Sequence, residues 1–318
     1  MTDILMTKPM LQSITDALDA QFTLHRLWEA KNPASYLGDV GARIRGLATG
    51  ASHGRTGADL LDHLPNLEII SSYGVGYDNV DVSEAARRGI VVTNTPDVLN
   101  DEVADLTIGL LIATLRQIPQ ADRYLREGRW LQAPFPLSPT LRGRRVGIVG
   151  LGRIGKAIAR RLEGFGVEIA YHGRTRQGDV AYGFYPTIVG LAEACDVLIA
   201  ITPGGAETKH LIDATVMKAL GPHGVLINVA RGSVVDEQAL IEALRNGTIL
   251  AAGLDVFEDE PRVPQGLVEL DNVVLLPHIA SASVHTRKAM GQLLVDNLIG
   301  WFDGRGPIST VPETPWRG

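Results

Sequence analysis

A glycine-rich turn joins an apolar run to an amphipathic one between residues 144 and 166, and few features restrict a fold more. "RRVGIVG" (144–150) reads as a buried strand, "GLGRIG" (150–155) as the turn and "IGKAIARRLEGFG" (154–166) as the helix after it. The Gly150-x-Gly152-x-x-Gly155 spacing says little alone in a chain with 35 glycines. Between a strand and a helix it has a physical purpose. It gives a tight turn, a close backbone approach, and helix N-terminal amides facing an anion such as a dinucleotide pyrophosphate.

Strand–helix alternation runs through most of the 318 residues. Apolar runs at 45–50, 67–74, 90–95, 144–150, 167–173, 196–202, 224–230, 250–256 and 273–278 are strand candidates. Periodic segments such as "VSEAARRG", "IDATVMKAL" and "VDEQALIEALRNG" separate them. Strands covered on both faces read as continuous apolar runs, so the pattern predicts an α/β fold of two Rossmann-like, doubly wound parallel-sheet domains. Three or four β–α units precede residue 98, and six strands lie between 140 and 285. Residues 1–98 plus 286–318 are therefore expected to form a substrate-binding domain and 99–285 a dinucleotide-binding domain. Between the blocks, residues 100–128 are expected to form one long helix, acidic at its start and basic at its end as the helix dipole favours. Apolar on more than one face, it should be buried between domains or at a dimer contact.

Composition narrows the function classes. Hydrophobic content of 45% and charged content of 21% fit a soluble globular chain. A net charge of −6 argues against a broad nucleic-acid or anionic-membrane surface. The longest apolar stretch, "LTIGLLIATL" (106–115), is too short to span a bilayer. The one cysteine, Cys195, excludes an intramolecular disulfide and a zinc–thiolate cluster, and reads as a small buried residue. No metal is expected: His53, His63, His172 and His285 lack ligand spacing. The opening "MTDILMTKPMLQ" has no basic stretch followed by a long apolar core, so a cytoplasmic protein without a secretory signal is expected.

About 20 residues beyond such a glycine turn, an NAD site carries an acid for the ribose hydroxyls. Here the chain reads Tyr171-His172-Gly173-Arg174-Thr175-Arg176. Gly173 removes a carboxylate that would repel a 2′-phosphate. Arg174, Arg176 and Thr175 could hold that phosphate by charge-assisted hydrogen bonds. The stretch predicts NADP(H) in preference to NAD(H); the alternative is a solvated basic loop.

Three further polar residues follow expected strands, where doubly wound sheets bind ligands: Arg231 in "INVARGSVVDEQAL", Glu260 in "GLDVFEDEP" and His278 in "VVLLPHIAS". Each alone has an ordinary explanation in an ion pair, a loop or a cap. Together they supply what hydride transfer to a 2-keto acid requires. Histidine can give the carbonyl oxygen a proton near neutrality, and a neighbouring carboxylate favours imidazolium and orients it. A guanidinium can hold the substrate carboxylate while polarising the carbonyl.

"SSYGVGYDNVD" (71–81), the glycine turn, "NVARGSVVDEQAL" (228–240), "GLDVFEDEP" (253–261) and "LLPHIAS" (275–281) stand in the order of a known family. Together they resemble the D-isomer-specific 2-hydroxyacid dehydrogenases, over nearly the whole chain and most securely over 70–290. The resemblance implies two Rossmann-like domains with a cleft between them, usually as a homodimer through the long helix. It implies Arg231 as the substrate-binding arginine, Glu260 as the acidic partner and His278 as acid/base. Val75 and Gly76 amides would contact the substrate carboxylate. Cofactor would touch Leu151, Gly152, Arg153, Ile154, Gly155, Gly173, Arg174, Thr175, Arg176, Thr202, Pro203, Val229, Ala230, Asp255 and Ala280. Part of the substrate pocket is expected near "LATGASHG" (47–54).

Within the family, "HGRTR" is similar to NADPH-using glyoxylate and hydroxypyruvate reductases. Glu260 stands where formate dehydrogenases of the superfamily carry Gln, and the acidic NAD residue usual in phosphoglycerate dehydrogenases is missing. Reductases of phenylpyruvate-type or D-lactate-type substrates remain alternatives. So does a dinucleotide-sensing corepressor, against which the complete Arg/Glu/His set argues. Related reductases can supply an aromatic side chain from the partner subunit; Trp130 and Phe135 are the candidates here.

Overall fold

The structure is a computed structural model that describes residues 1–50 and 54–316. Ala51, Ser52 and His53, part of the stretch expected near the substrate pocket, lie outside the described residues. The chain divides into two compact units: Met1–Leu99 with the segment from Ser283 onward, and Asn100–Ala282.

The first unit begins with β1 (Asp3–Met6), α1 (Gln12–Gln21), β2 (Thr23–Arg26), α2 (Pro33–Val40) and β3 (Ile44–Gly50). It continues with α3 (Ala58–Leu61), β4 (Ile69–Tyr73), α4 (Val82–Arg87) and β5 (Val91–Thr93). The strands form one parallel sheet in the order β2-β1-β3-β4-β5. In β3 every residue but Arg45 is buried, which explains why its sequence shows no alternation. Side-chain caps start two of these helices: Asn32 accepts from the Ser35 N–H before α2, and Asp81 from the Glu84 N–H before α4.

The second unit opens with α5 (Asn100–Arg116) and α6 (Ile118–Arg126). Then follow β6 (Arg145–Val149), α7 (Arg153–Glu163), β7 (Glu168–His172), β8 (Gly183–Tyr185), α8 (Ile188–Ala194) and β9 (Val197–Ala200). It ends with α9 (Ala214–Leu220), β10 (Val225–Asn228), α10 (Glu237–Arg245), β11 (Ala251–Leu254), α11 (Gln265–Val268) and β12 (Val273–Leu275). The sheet is parallel throughout, in the order β12-β11-β10-β9-β6-β7-β8. Every residue of β9, β10 and β11 is buried. After the second unit, α12 (Val284–Phe302), capped by Ser283, belongs to the first and packs on β4 and α1.

Two sequence expectations differ from the fold. The single helix over 100–128 is two helices, because Gln117 takes a left-handed conformation (φ 52°) and Pro119 sits in the first turn of α6. Proline has no N–H to give to the carbonyl of Leu115, and its ring crowds that carbonyl, so α5 cannot run on through residue 119. The buried face of α5, with Ala104, Leu110, Leu111 and Leu115, packs into the core of the second unit against Val146, Ile148 and Ala157. Strands β1, β2 and β8 have no counterpart among the expected runs. β2 and β8 are short and carry polar or half-exposed residues, and β1 is only four residues long, its buried Ile4-Leu5-Met6 too short a run to stand out.

Candidate active site

The strands of the second unit all point one way, so the loops leaving their carboxyl ends share one edge of the sheet. From β6 the chain winds outward through β7 to β8, then restarts on the other side with β9. The switch point between β6 and β9 is where open α/β sheets bind ligands.

At that point Gly150 adopts φ 102° and donates its N–H to His172 O at 2.9 Å. A Cβ on Gly150 would lie 2.9 Å from Ile201 O, and one on Gly155 2.2 Å from Gly150 O. Only glycine lets α7 start this close to the turn. Gly152, at the N-cap of α7, has open space around it and supplies no side-chain cap. The first amides of α7, beginning at Arg153 and Ile154, are therefore not capped by that residue. Leu151 is buried beneath the turn. After β9, Thr202 Oγ1 is buried without a hydrogen-bond partner among the described residues. Pro203 follows it, and its carbonyl accepts from Thr208 Oγ1 at 2.8 Å. A buried hydroxyl lacking a partner beside an open glycine turn fits a polar ligand, and the residues present suit a dinucleotide pyrophosphate.

At the end of β7, His172 Nδ1 lies 3.0 Å from Tyr185 O, and a Cβ on Gly173 would meet nothing within 4 Å. Arg174, Thr175 and Arg176 are exposed. No carboxylate pairs with either arginine among the described residues. The one acid in the loop, Asp179, is taken by Lys156 Nζ at 2.6 Å. Gln177 carries no signal in the sequence. Its Nε2 donates to Leu151 O and its N–H to Tyr171 Oη, both at 2.7 Å, tying the arginine loop to the glycine turn.

Arg231, Glu260 and His278 follow the neighbouring strands β10, β11 and β12. Asn228, the buried last residue of β10, turns the chain into the arginine loop. Its Nδ2 donates to Arg231 O at 3.0 Å and its Oδ1 accepts from the Ala230 N–H at 3.1 Å. Val229 and Ala230 are buried, and Arg231 Nη1 donates to Ala230 O at 2.8 Å. After β11, fully buried Asp255 accepts the Ile279 and Ala280 N–H groups at 2.7 and 2.9 Å. That bridge fixes the segment carrying His278. Burial raises the Asp255 pKa above its ordinary value, against those two amides and the His278 charge.

His278 has φ 53°, an uncommon backbone state for a non-glycine residue, and its Nδ1 lies 2.7 Å from Glu260 Oε2. Glu260 Oε1 accepts the Phe257 N–H at 3.1 Å. Burial pushes the Glu260 carboxyl up. The His278 hydrogen bond and charge, the Phe257 N–H and the Arg231 charge outweigh burial and hold it below the usual range. An ionised carboxylate only accepts, so Nδ1 carries a proton and Nε2 is the ring nitrogen left for exchange. Ion pair, buried support and arginine meet on one edge of one sheet.

In the first unit, Val75 and Gly76 follow β4. Asn94 Nδ2 donates to Val75 O at 2.8 Å, and Gly74 exchanges hydrogen bonds with Thr95. The Val75 and Gly76 N–H groups have no acceptor among the described residues. Those residues hold no group of three His, Cys, Asp or Glu suited to a metal. No helix among them is long and apolar enough to cross a membrane.

A doubly wound sheet whose carboxyl edge carries a glycine turn, an arginine and a paired histidine and glutamate defines a class, the dinucleotide-dependent dehydrogenases. The family model for the D-isomer specific 2-hydroxyacid dehydrogenase NAD binding domain matches residues 108–280. The chain belongs to the D-isomer specific 2-hydroxyacid dehydrogenase family. It is 48% identical over 308 residues to glyoxylate/hydroxypyruvate reductase A of Arabidopsis thaliana, covering 97% of this chain and 98% of that protein. Hydroxyphenylpyruvate reductase of Plectranthus scutellarioides is 46% identical, with the same coverage. The crystal structure of NADPH-dependent glyoxylate/hydroxypyruvate reductase from Sinorhizobium meliloti, in complex with NADP and malonate, superimposes with a TM-score of 0.94. It shares 54% identity, covering 99% of this chain and 98% of that one.

Proposed function

We propose that the protein uses NADPH to reduce small 2-keto acids, glyoxylate and hydroxypyruvate among them, to D-2-hydroxy acids. The observation that carries the reading is the His278–Glu260 pair, on the same sheet edge as the glycine turn. The named reductases at 48% and 54% identity support the substrate class. The hydroxyphenylpyruvate reductase at 46% favours a second reading, a larger aromatic 2-keto acid.

When bound, the dinucleotide supplies the hydride for the carbonyl carbon. The loop 151–155, residues 173–176, Thr202-Pro203, Val229-Ala230, Asp255 and Ala280 are assigned to hold it. Arg231 binds the substrate carboxylate and polarises the carbonyl. His278 gives its Nε2 proton to the carbonyl oxygen, and in oxidation takes the hydroxyl proton back. Glu260 holds the ring through Nδ1 and balances the imidazolium charge. The first unit would form the substrate-binding domain and the second the dinucleotide-binding domain.

The exposed side chains of Trp130 (65%), Leu131 (93%) and Leu137 (101%) support a homodimer through this arm. Phe135 stacks edge-to-face on Tyr124 at 5.3 Å, which makes Trp130 the better placed of the two aromatics to reach a partner. The single buried cysteine, Cys195, suits a cytoplasmic enzyme. A panel of 2-keto acids assayed with NADPH and NADH in parallel tests the reading. Absence of turnover with glyoxylate, hydroxypyruvate and phenylpyruvate would refute it.

A further inference from the structure

Glu260 stands on an irregular loop, so something must hold that loop for its carboxylate to meet His278. Two adjacent amides in it are each taken by a carboxylate. Phe257 N–H goes to Glu260 itself, and Glu258 N–H goes to Glu237 Oε1 at 2.8 Å. Glu237 is the first residue of α10, on the loop that leaves Arg231. The same peptide is pressed by Gly232. A Cβ there would fall 1.8 Å from the Phe257 carbonyl carbon and 2.2 Å from the Glu258 nitrogen. Backbone of the Arg231 loop thus lies directly against backbone of the Glu260 loop, and Glu237 adds the hydrogen bond that fixes their register.

Helix capping does not account for Glu237. Asp236 caps α10, accepting the Ala239 N–H at 3.0 Å. The site is also costly for an acid. Burial raises the Glu237 carboxyl above its ordinary range, the Glu258 N–H opposes this, and Glu258, Asp259 and Glu260 add repulsion. No cation pairs with Glu237 among the described residues. The first turn of α10 and the Glu258 N–H hold the half-buried carboxylate beside three others, so its place is set by its contact with the Glu260 loop.

We propose that Glu237 is a positioning residue: by accepting the Glu258 N–H it fixes the loop that aims Glu260 at His278. The inference rests on the reading of Glu260 and His278 as the acid/base pair. Truncation would leave the Glu258 N–H without its acceptor and let the loop drift. A misplacement of about 1 Å can cost on the order of 100-fold in rate.

The test compares wild type, Glu237→Ala, Glu237→Gln and His278→Gln in kcat, in KM for glyoxylate, in NADPH dissociation constant and in melting temperature. Glu237→Ala should lose about 10- to 100-fold in kcat, with the NADPH constant unchanged. Glu237→Gln keeps an Oε1 acceptor and should recover most of the loss. The proposal is overturned if Glu237→Ala turns over like wild type, or if the Gln variant is as impaired as the Ala variant. It is overturned too if the truncated protein no longer folds, since that makes the residue structural. Failure of the underlying reading shows separately, as undiminished turnover by His278→Gln.

Discussion

His278 Nδ1 and Glu260 Oε2 are 2.7 Å apart, joining the ends of adjacent strands β12 and β11 by a charge-assisted hydrogen bond. With Nδ1 so engaged, a proton can reach the substrate only from Nε2. His278→Gln removes that proton while the glycine turn and the arginine loop stay in place. Turnover should fall by roughly 100- to 10,000-fold, the usual weight of a general acid. NADPH binding, followed by fluorescence titration, should hold within about twofold, since loss of a general acid falls on the chemical step rather than on cofactor affinity. Undiminished turnover would remove His278 from the mechanism.

Glu260 sets a pH dependence whose sign follows from its lowered pKa. Burial raises the carboxyl, but His278, the Phe257 N–H and Arg231 together lower it below its ordinary value. A carboxyl lowered by folding contributes stability above its unfolded pKa and loses it as pH falls through the folded one. The pair should therefore survive acidification through the ordinary glutamate range, about 4.3, and break below it. Glu260→Gln removes the carboxylate that titrates, so its rate should lack the acid loss that wild type shows below about pH 4.3. A variant-to-wild-type rate ratio that stays flat as the pH falls from about 6 to about 3 would show that the charge of Glu260 is immaterial.

The parts of the site legible in sequence were those with a local signature. An apolar run ending in glycines announces the turn at 150–155. Arg231 and His278 stand out because each interrupts apolar sequence just past a strand, and Glu260 because it lies in the acidic stretch shortly after the strand between them. The supports were not legible, because their meaning is nonlocal. Asp255 reads as a strand end, and only the fold brings the Ile279 and Ala280 amides to it. Gln177 looks like any loop residue until Leu151 O and Tyr171 Oη are found beside it. The break at Gln117 was hidden because helical periodicity continues through it, although Pro119 was a signal. Short edge strand β8 offers three half-exposed or exposed residues and no pattern.

The cofactor preference rests on Arg174 and Arg176, exposed and without carboxylate partners among the described residues. A hydrogen bond to a charged group is worth about 1.5–3 kcal/mol, or roughly 10- to 100-fold in affinity. Arg174→Ala and Arg176→Ala should each raise the NADPH KM by that order and leave the NADH KM nearly unchanged. An equal rise for both nucleotides would mean that the arginines do not read a 2′-phosphate.

The apolar arm after α6 gives a separate prediction. Leu131 and Leu137 expose large aliphatic side chains, at a cost that a partner would relieve. Leu131→Asp with Leu137→Asp should convert a dimer to a monomer in sedimentation velocity. If the wild-type chain already sediments as a monomer, the homodimer proposal fails.

Gly232 tests how tightly the two loops must fit. Its missing Cβ would meet the Phe257 carbonyl carbon at 1.8 Å and the oxygen at 2.1 Å, which are backbone atoms that cannot swing aside. Gly232→Ala must therefore move the Arg231 loop away from the Glu260 loop, at a cost of about 1–3 kcal/mol or more. Exposed Gly109, inside α5 with nothing near a Cβ, is the control: Ala there should stabilise by about 0.5–1 kcal/mol through helix propensity. Thermal unfolding should move in opposite directions for the two variants, and only Gly232→Ala should lose turnover. A Gly232→Ala protein as stable and as active as wild type would mean that the loops tolerate separation, and that close packing at Phe257 does not position Glu260.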